Sequence, residues 1–404
     1  MKLVRIPESK FEEYRLNAIF DCYKWDPQFL DSNTLSKYVL VLTEKEYHEV
    51  AKLTEKLDSE TEISEIFLNS HLDLTKILKL PKTPLLKNMS NYDKNKHIRL
   101  MRYDFHPTTD GNWVISEVNS DVPGGFAEAS LLPELAIKTI GNKNYYSINF
   151  GDQLAMALSK KIKAKGTIMF VHCTSYSDDR QVMQYLGDKM QSLGYTSLCG
   201  AADHLKFVNK EAYSILDHHE GKIDCIFRFT PIEWLIDIKP KTWSGYFDTI
   251  TPSCNHPIAI FAQTKRFPLI WPILEKNGIK LPTWKKLLPE TIEVKQVKGK
   301  EGYIYKPAYG RVGENISIKE ACSKEEYQEI LKDVHKHPKK YLAQKRFISK
   351  PLTTPQGTKY HVCLGSYTID GKHAGFYARI SPKPRIDSDA EDIPVVIERS
   401  KSHE

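Results

Sequence analysis

The chain has 404 residues and 41% of them are hydrophobic, which is enough for two or three packed units and excludes a disordered tail or a small disulfide-stapled scaffold. Its net charge of +7, from 58 basic and 51 acidic residues, suggests an anionic ligand at most, and its seven scattered cysteines form neither a zinc motif nor a disulfide framework. No signal peptide follows Met1 and no run approaches the roughly 20 apolar residues of a membrane helix, so we expect a cytoplasmic protein without membrane association.

The periodicity of the chain changes near residue 98. Before it, apolar residues recur at helical spacing, so residues 1–97 are predicted to be a helical segment that packs on the core. After it, two strand-like runs, 98–105 and 113–118, flank a turn that contains Asp110-Gly111. This arrangement predicts a β-hairpin within a unit that spans residues 98–150.

Residues 151–260 alternate between strand and helix signals. A short apolar run at 167–171 precedes an amphipathic segment that ends at Gly194, and a second strand candidate covers 223–229. The order strand, helix, strand predicts an α/β unit with a parallel sheet. Residues 261–404 begin with several prolines and continue as a strand-rich portion, with strands predicted at 302–307, 316–318, 341–347, 361–369 and 374–380 and a helix capped by Ser323.

Four polar residues lie on the predicted hairpin. Residues two apart on a strand point to the same side, so Arg102 with Asp104, and Glu117 with Asn119, can face one spot. Two carboxylates and an amide oxygen suit Mg²⁺, which takes one or two carboxylates plus phosphate oxygens. The alternative is an exposed strand face with a cross-strand Arg–Glu pair. The small residues that follow at 120–125 favour a site, because they permit close approach to the backbone.

A second candidate is the glycine-containing loop from Lys306 to Asn315. A lysine at the end of a strand, an arginine at the tip of the loop and free backbone N–H groups can surround a polyphosphate, although an isolated loop of this kind is more often a plain turn. Lys265 and Arg379 are single cations that, taken alone, read as surface residues.

Taken together and in this order, the motifs resemble the glutathionylspermidine synthase family. The resemblance covers nearly the whole chain, from Tyr14 to Pro394. Its most specific parts are Arg102-Tyr103-Asp104-Phe105, Glu117-Val118-Asn119-Ser120-Asp121, Phe227-Arg228-Phe229-Thr230-Pro231-Ile232-Glu233-Trp234-Leu235 and Lys306-Pro307-x-x-Gly310-Arg311-x-Gly313.

The resemblance implies an α+β fold of the permuted ATP-grasp type, with a pre-ATP-grasp α/β portion at 151–260 and a nucleotide-binding portion at 261–404. It also implies ATP and Mg²⁺ as cofactors. The metal ligands would be Asp104, Glu117 and Asn119, and the nucleotide would be bound by Lys265, Lys306, Gly310, Gly313 and Gln344. Arg102, Arg311 and Arg379 would act on the transferring phosphate and the acyl phosphate.

The activity implied by the resemblance is ADP-forming ligation of a small-molecule or peptide carboxylate to an amine. There is no room for the amidase domain of bifunctional members, so we expect no hydrolytic activity. Val122 and Gly124 stand where glutathione-using members have small hydroxylated residues, which leaves the carboxylate substrate open. A polycationic amine would also require an acidic funnel, which a net charge of +7 does not indicate.

Two other classes of protein are alternatives to a ligase. A nucleotide-binding pseudo-enzyme or interaction scaffold could retain the fold, but every expected phosphate and metal residue is present. A basic RNA-binding protein is disfavoured because the chain has no recognisable RNA module, so no nucleic-acid partner is expected. The sequence does not indicate an oligomeric state.

Overall fold

The computed structural model describes residues 1–80, 89, 92–236, 243–297, 301–310 and 313–400. Within these ranges the fold combines α-helices with one parallel sheet, one mixed sheet and several antiparallel sheets. None of the described helices combines the length and the apolar character needed to cross a membrane. The predicted α+β class is thereby confirmed, whereas the division into units at 97, 150 and 260 stays a prediction.

A central antiparallel sheet carries the predicted hairpin. The hairpin is confirmed, because its two strands pair across the Asp110-Gly111 turn. Side-chain alternation turns Tyr103 and Phe105 into the largest hydrophobic core, whereas Arg102 and Asp104 face the opposite side. The strand order is Glu391–Asp392, Lys372–Ser381, Lys359–Ile369, Leu100–Pro107 and Trp113–Asn119, with Leu352–Thr353 paired to Lys359–Ile369.

A parallel sheet confirms the predicted α/β unit. The helix Ser177–Ser192 connects two of its strands, and Gly194 follows the helix with a φ of +87° that favours glycine. The strand order is Ser253–Cys254, Cys225–Arg228, Thr167–Val171 and Thr196–Gly200, and a meander of Leu205–Val208, Glu211–Ser214 and Gly221–Lys222 lies outside it.

A third sheet, here called the terminal sheet, joins the two ends of the chain. Its order is Lys2–Arg5, Tyr38–Thr43, Val395–Glu398 and Tyr145–Tyr146, and a separate small hairpin pairs Gln28–Phe29 with Ser32–Asn33. The expectation of a helical segment over 1–97 is therefore wrong for these strands. Residues 39–42 of this strand are apolar and buried, and Tyr38–Thr43 pairs in parallel with Val395–Glu398, a partner that local periodicity cannot reveal.

The strands Thr291–Glu293, Tyr341–Lys345 and Tyr303–Pro307 form a small antiparallel sheet in the C-terminal portion. The strand predicted at 316–318 does not form. Only Ser317 exchanges hydrogen bonds with Tyr305 there, and one bonded residue does not make a ladder.

The helices surround the sheets. The longest, Glu44–Ser70, begins at a capping box of Thr43 and Glu46 and covers the face of the central sheet that carries Tyr103. As predicted, Ser323 caps the helix that follows it by accepting a hydrogen bond from the Glu326 N–H. The α-helices are Glu8–Asp21, Glu44–Ser70, Leu131–Ile140, Phe150–Lys161, Ser177–Ser192, Ile232–Leu235, Ile260–Gln263, Trp271–Lys276, Pro282–Leu287 and Lys324–Lys336.

Candidate active site

The uncovered face of the hairpin forms one wall of a cavity of about 390 Å³. Cross-strand pairing places Asp104 opposite Glu117 and Arg102 opposite Asn119, and a register shift follows directly after Asp104. Seven of the residues predicted from sequence line this cavity: Arg102, Asp104, Glu117, Asn119, Lys306, Gly313 and Arg379.

Arg102 and Asp104 form a bidentate ion pair on the hairpin. The Arg102 Nε donates to Asp104 Oδ1 at 2.8 Å and its Nη2 donates to Oδ2 at 3.1 Å. The Asn119 Nδ2 donates to the same Asp104 Oδ2 at 3.0 Å, so the Asn119 amide oxygen takes no part in this hydrogen bond. The Arg102 guanidinium also lies 5.0 Å from the centre of the Tyr377 ring, so its orientation is fixed from two sides.

Glu117 is paired with a lysine. Lys265 Nζ lies 2.8 Å from Glu117 Oε2 and donates at 2.6 Å to the carbonyl of Gly310, so it joins the hairpin to the glycine loop. Burial alone would raise the pKa of Glu117, but Lys265 holds it below its usual value. Lys306 is 5% exposed and donates to the Ser116 carbonyl at 3.3 Å, and burial lowers its pKa to about 8. Lys306 and two carboxylates therefore share one end of the cavity, and Lys265 pairs with Glu117 from the adjoining small pocket.

Gln344 lies in a small pocket beside the main cavity, together with Glu117 and Lys265. Its Nε2 donates to Thr291 Oγ1 at 3.1 Å, whereas its Oε1 is buried without a hydrogen-bond partner among the described residues. This orphaned acceptor is available to a ligand that donates an N–H group.

Gly313 and Arg379 line the cavity on another side. Gly313 has a φ of +68°, and a Cβ there would lie 2.3 Å from the Ile386 carbonyl oxygen, so only glycine fits. Arg379 lines the cavity, but its Nη2 donates to the carbonyls of Asp387 and Ala390. Arg311 lies outside the described residues.

A cluster of carboxylates, which we call the acidic lobe, lines another part of the same cavity. The buried Lys24 lies among these carboxylates. Its Nζ is 2.6 Å from Asp392, 2.7 Å from Asp26 and 3.5 Å from Glu128. Glu128 is 8% exposed, and its Oε2 has no hydrogen-bond partner among the described residues. Burial raises the pKa of Glu128 to about 7. The members of the lobe are Asp26, Glu128, Asp178, Asp179 and Asp392.

The acidic lobe corrects the expectation drawn from net charge. The whole-chain value of +7 does not describe the cavity, where five carboxylates gather in one lobe. No local motif could have revealed it, because its members come from four distant parts of the chain. Lys24 lies within the region on which the family resemblance was based, but its pairing with Asp392 needed the fold.

A buried ion pair positions the loop that follows the hairpin. Asp121 is 1% exposed, accepts a hydrogen bond from Arg228 and also accepts one from the Ile232 N–H at 2.8 Å. Gln263 Oε1 accepts from the backbone N–H groups of Ser120 and Asp121 at 2.9 and 3.0 Å. Sequence motifs contained Asp121 and Arg228 but gave no sign that they meet.

The hairpin carries the kinds of donor atom that a hard divalent cation binds, although the Asp104 oxygens accept hydrogen bonds from Arg102 and Asn119 and Glu117 pairs with Lys265. Asp104, Glu117 and Asn119 supply two carboxylates and an amide oxygen to one cavity wall, as Mg²⁺ prefers. The described ranges contain no cluster of three or more His, Cys, Asp or Glu side chains that could hold a metal ion. A cation here would consequently complete its shell with water or phosphate oxygens.

Comparisons with known proteins identify the family and the fold of the chain. The family model described as glutathionylspermidine synthase preATP-grasp matches residues 21–398. A glutathione synthetase-like effector from Globodera pallida, solved in its apo form, superposes with a TM-score of 0.62 at 13% identity, covering 97% of this chain and 99% of that one. No curated protein sequence matches the chain.

A second solved structure carries the provisional name gamma-glutamylcysteine synthetase, from Methylobacillus flagellatus. It has a TM-score of 0.42 at 10% identity, with 82% of this chain and 86% of that one covered, which is too distant to support an argument.

The family match and the superposition on the Globodera pallida effector together show the fold of ATP-grasp-type synthetases, and the chain belongs to the glutathionylspermidine synthase family.

Proposed function

We propose that this protein is an ATP-dependent ligase that joins a carboxylate to an amine through an acyl phosphate and releases ADP. One observation carries the proposal: a single cavity holds Asp104 and Glu117 beside Arg102 and Lys306 in one part, and the acidic lobe in another. Such an arrangement suits a polyphosphate with its cation and a substrate of opposite charge in the same space.

The nucleotide end consists of Lys306, Lys265, the glycine loop and Gln344. The lysines would offset phosphate charge, since point charges on lysine commonly bind phosphates. The orphaned Gln344 Oε1 would accept a hydrogen bond from the adenine amino group. Asp104, Glu117 and Asn119 would hold Mg²⁺, which when bound neutralises charge on the transferring phosphate.

The acidic lobe would bind the amine. Its five carboxylates outnumber Lys24 and Arg379, the two cations that pair with Asp392, and the buried Glu128 Oε2 has an open acceptor site for an N–H donor. A protonated amine approaching the cavity would be attracted by this excess negative charge.

The reaction would proceed in two steps. An oxygen of the substrate carboxylate attacks the γ-phosphorus of ATP, and the bond to the leaving ADP oxygen breaks. The bound ammonium group first loses a proton to water, and the resulting neutral amine attacks the acyl carbon. Inorganic phosphate leaves, and the nitrogen gives its second proton to this phosphate or to water as the amide forms. Arg102 would orient the reacting phosphate, and phosphoryl transfer requires little beyond such positioning and charge neutralisation.

The proposal is tested by ADP release in the presence of Mg²⁺ and ATP, with a panel of small peptides crossed against mono-, di- and polyamines. We expect at least one pair to stimulate turnover well above the rate with either component alone. If ATP binds but no pair stimulates turnover, the protein is instead a nucleotide-binding scaffold that retains the fold.

Replacing Lys306 with alanine should weaken ATP binding about tenfold or more, because a buried ammonium beside the phosphates is lost. Titration calorimetry with Mg²⁺ and a non-hydrolysable ATP analogue measures the change. Lys206, exposed on a strand of the outer meander, provides the matched control, since Lys206→Ala should leave affinity unchanged. Equal affinities for both variants would contradict the assignment.

A further inference from the structure

One wall of the cavity is apolar. Phe229 and Val182 are 7% exposed there, and Trp234 is 41% exposed at the rim, where its ring lies 6.0 Å from that of Tyr176. Together with Val122 and Pro231, these side chains form what we call the apolar wall: Val122, Val182, Phe229, Pro231 and Trp234.

The apolar wall adjoins the place where the carboxylate would react. Arg102 Nη1 donates to the Gly124 carbonyl at 2.9 Å. A Cβ added at Gly124 would lie 3.5 Å from the end of the Phe229 ring, so this glycine lies beside the ring. Gly124 therefore separates the Arg102 guanidinium, which would orient the phosphate, from the apolar wall.

The charges behind this wall are neutralised within the protein. Arg228 is 2% exposed, and its Nη2 donates to Asp121 while its Nη1 donates to the Thr230 carbonyl at 2.6 Å. The Arg228 guanidinium is therefore unavailable to the cavity, and the five residues of the wall carry no charge. A second carboxylate on the substrate would find no counter-ion at this wall and would lose hydration.

We propose that the carboxylate substrate presents an uncharged apolar group to this wall, next to the carboxyl group that reacts. This inference rests on the proposed ligase function and narrows its substrate class. Burying an aliphatic side chain against Val122 and Phe229 favours binding, whereas an amide or carboxylate of the same size would leave polar atoms without partners.

Binding of three nearly isosteric probes tests the inference on the full chain with Mg²⁺ and a non-hydrolysable ATP analogue. The probes are N-acetyl-leucine, N-acetyl-asparagine and N-acetyl-aspartate, and titration calorimetry gives their dissociation constants. We expect N-acetyl-leucine to bind about tenfold tighter than the other two. Equal affinities, or no binding of any probe, would overturn the inference.

A matched pair of variants locates the preference. Val122→Thr keeps the shape of the side chain and adds a hydroxyl group, so it should reduce the preference for N-acetyl-leucine about threefold. Val208→Thr, at a strand position that is 46% exposed, should leave the preference unchanged. An unchanged preference in Val122→Thr, with its circular dichroism spectrum intact, would exclude this wall as the determinant.

The ligase proposal is judged separately by ADP release. A preference for N-acetyl-leucine without turnover for any amine would uphold the apolar wall and refute the ligase. Turnover with peptides that end in acidic residues, at rates equal to those that end in leucine, would uphold the ligase and refute the apolar wall.

Discussion

Replacing Glu117 with glutamine is expected to lower ADP release by at least about 100-fold while leaving the protein folded. Glu117 lies opposite Asp104 on the hairpin, and its carboxylate is one of two that would hold the cation. Glutamine has the same shape and can still accept a hydrogen bond from Lys265, so the 2.8 Å contact between the hairpin and the turn after the helix Ile260–Gln263 is kept in weaker form.

The readout is steady-state ADP release with the best substrate pair, alongside circular dichroism and thermal unfolding. Glu13→Gln, at an exposed position of the helix Glu8–Asp21, removes the same charge far from the cavity and should retain full activity. Undiminished turnover in Glu117→Gln would contradict the metal assignment.

The second large effect is expected on stability, from the replacement of Arg228 with methionine. Asp121 and Arg228 are both almost fully buried, so the variant leaves an uncompensated carboxylate in the interior. Breaking a buried pair in this way costs about 3–5 kcal/mol in the free energy of unfolding. The loop after the hairpin should also lose its position, because Arg228 holds it through Asp121.

Urea unfolding followed by tryptophan fluorescence measures the loss. Arg180→Met on the exposed side of the helix Ser177–Ser192 is the control and should change stability by less than about 0.5 kcal/mol. The double variant Arg228→Met with Asp121→Asn should recover part of the loss, since it removes the buried charge. If the free energy of unfolding of Arg228→Met falls by less than about 1 kcal/mol, the Asp121–Arg228 pair contributes little to stability and the prediction is wrong.

The hairpin was predictable because its signals are local. Alternation over eight residues and an Asp-Gly turn specify that the two strands pair. The exact register was not predictable, because Phe105 pairs with Ile115 and only the register shift that follows brings Asp104 opposite Glu117 rather than Ser116. The helix Lys324–Lys336 was equally predictable, because its cap is the adjacent Ser323, which accepts a hydrogen bond from the Glu326 N–H in the first turn. Lys306 was a candidate from its position before the glycine loop, whereas Lys265 was assigned only through the family resemblance. The structure places both near Glu117.

Other features depend on contacts between distant residues and could not be predicted. Tyr38–Thr43 is a strand because Val395–Glu398 pairs with it, and Asp392 belongs to the cavity because Lys24 reaches it. The net charge of the whole chain also gave a wrong expectation for the cavity, because a sum over 404 residues does not show that five carboxylates line one lobe. Charge in a cavity is set by the fold rather than by composition.

The terminal sheet has a consequence for how the protein folds during synthesis. Val395–Glu398 lies between Tyr38–Thr43 and Tyr145–Tyr146, so this sheet lacks an inner strand until the ribosome has passed residue 398. Contacts of such long sequence separation carry a large loop-closure entropy and slow the final folding step. Because Asp392 precedes this strand and contacts Lys24, the acidic lobe is completed only at that late stage. A nascent chain that has not yet reached residue 398 therefore lacks the complete acidic lobe of the cavity.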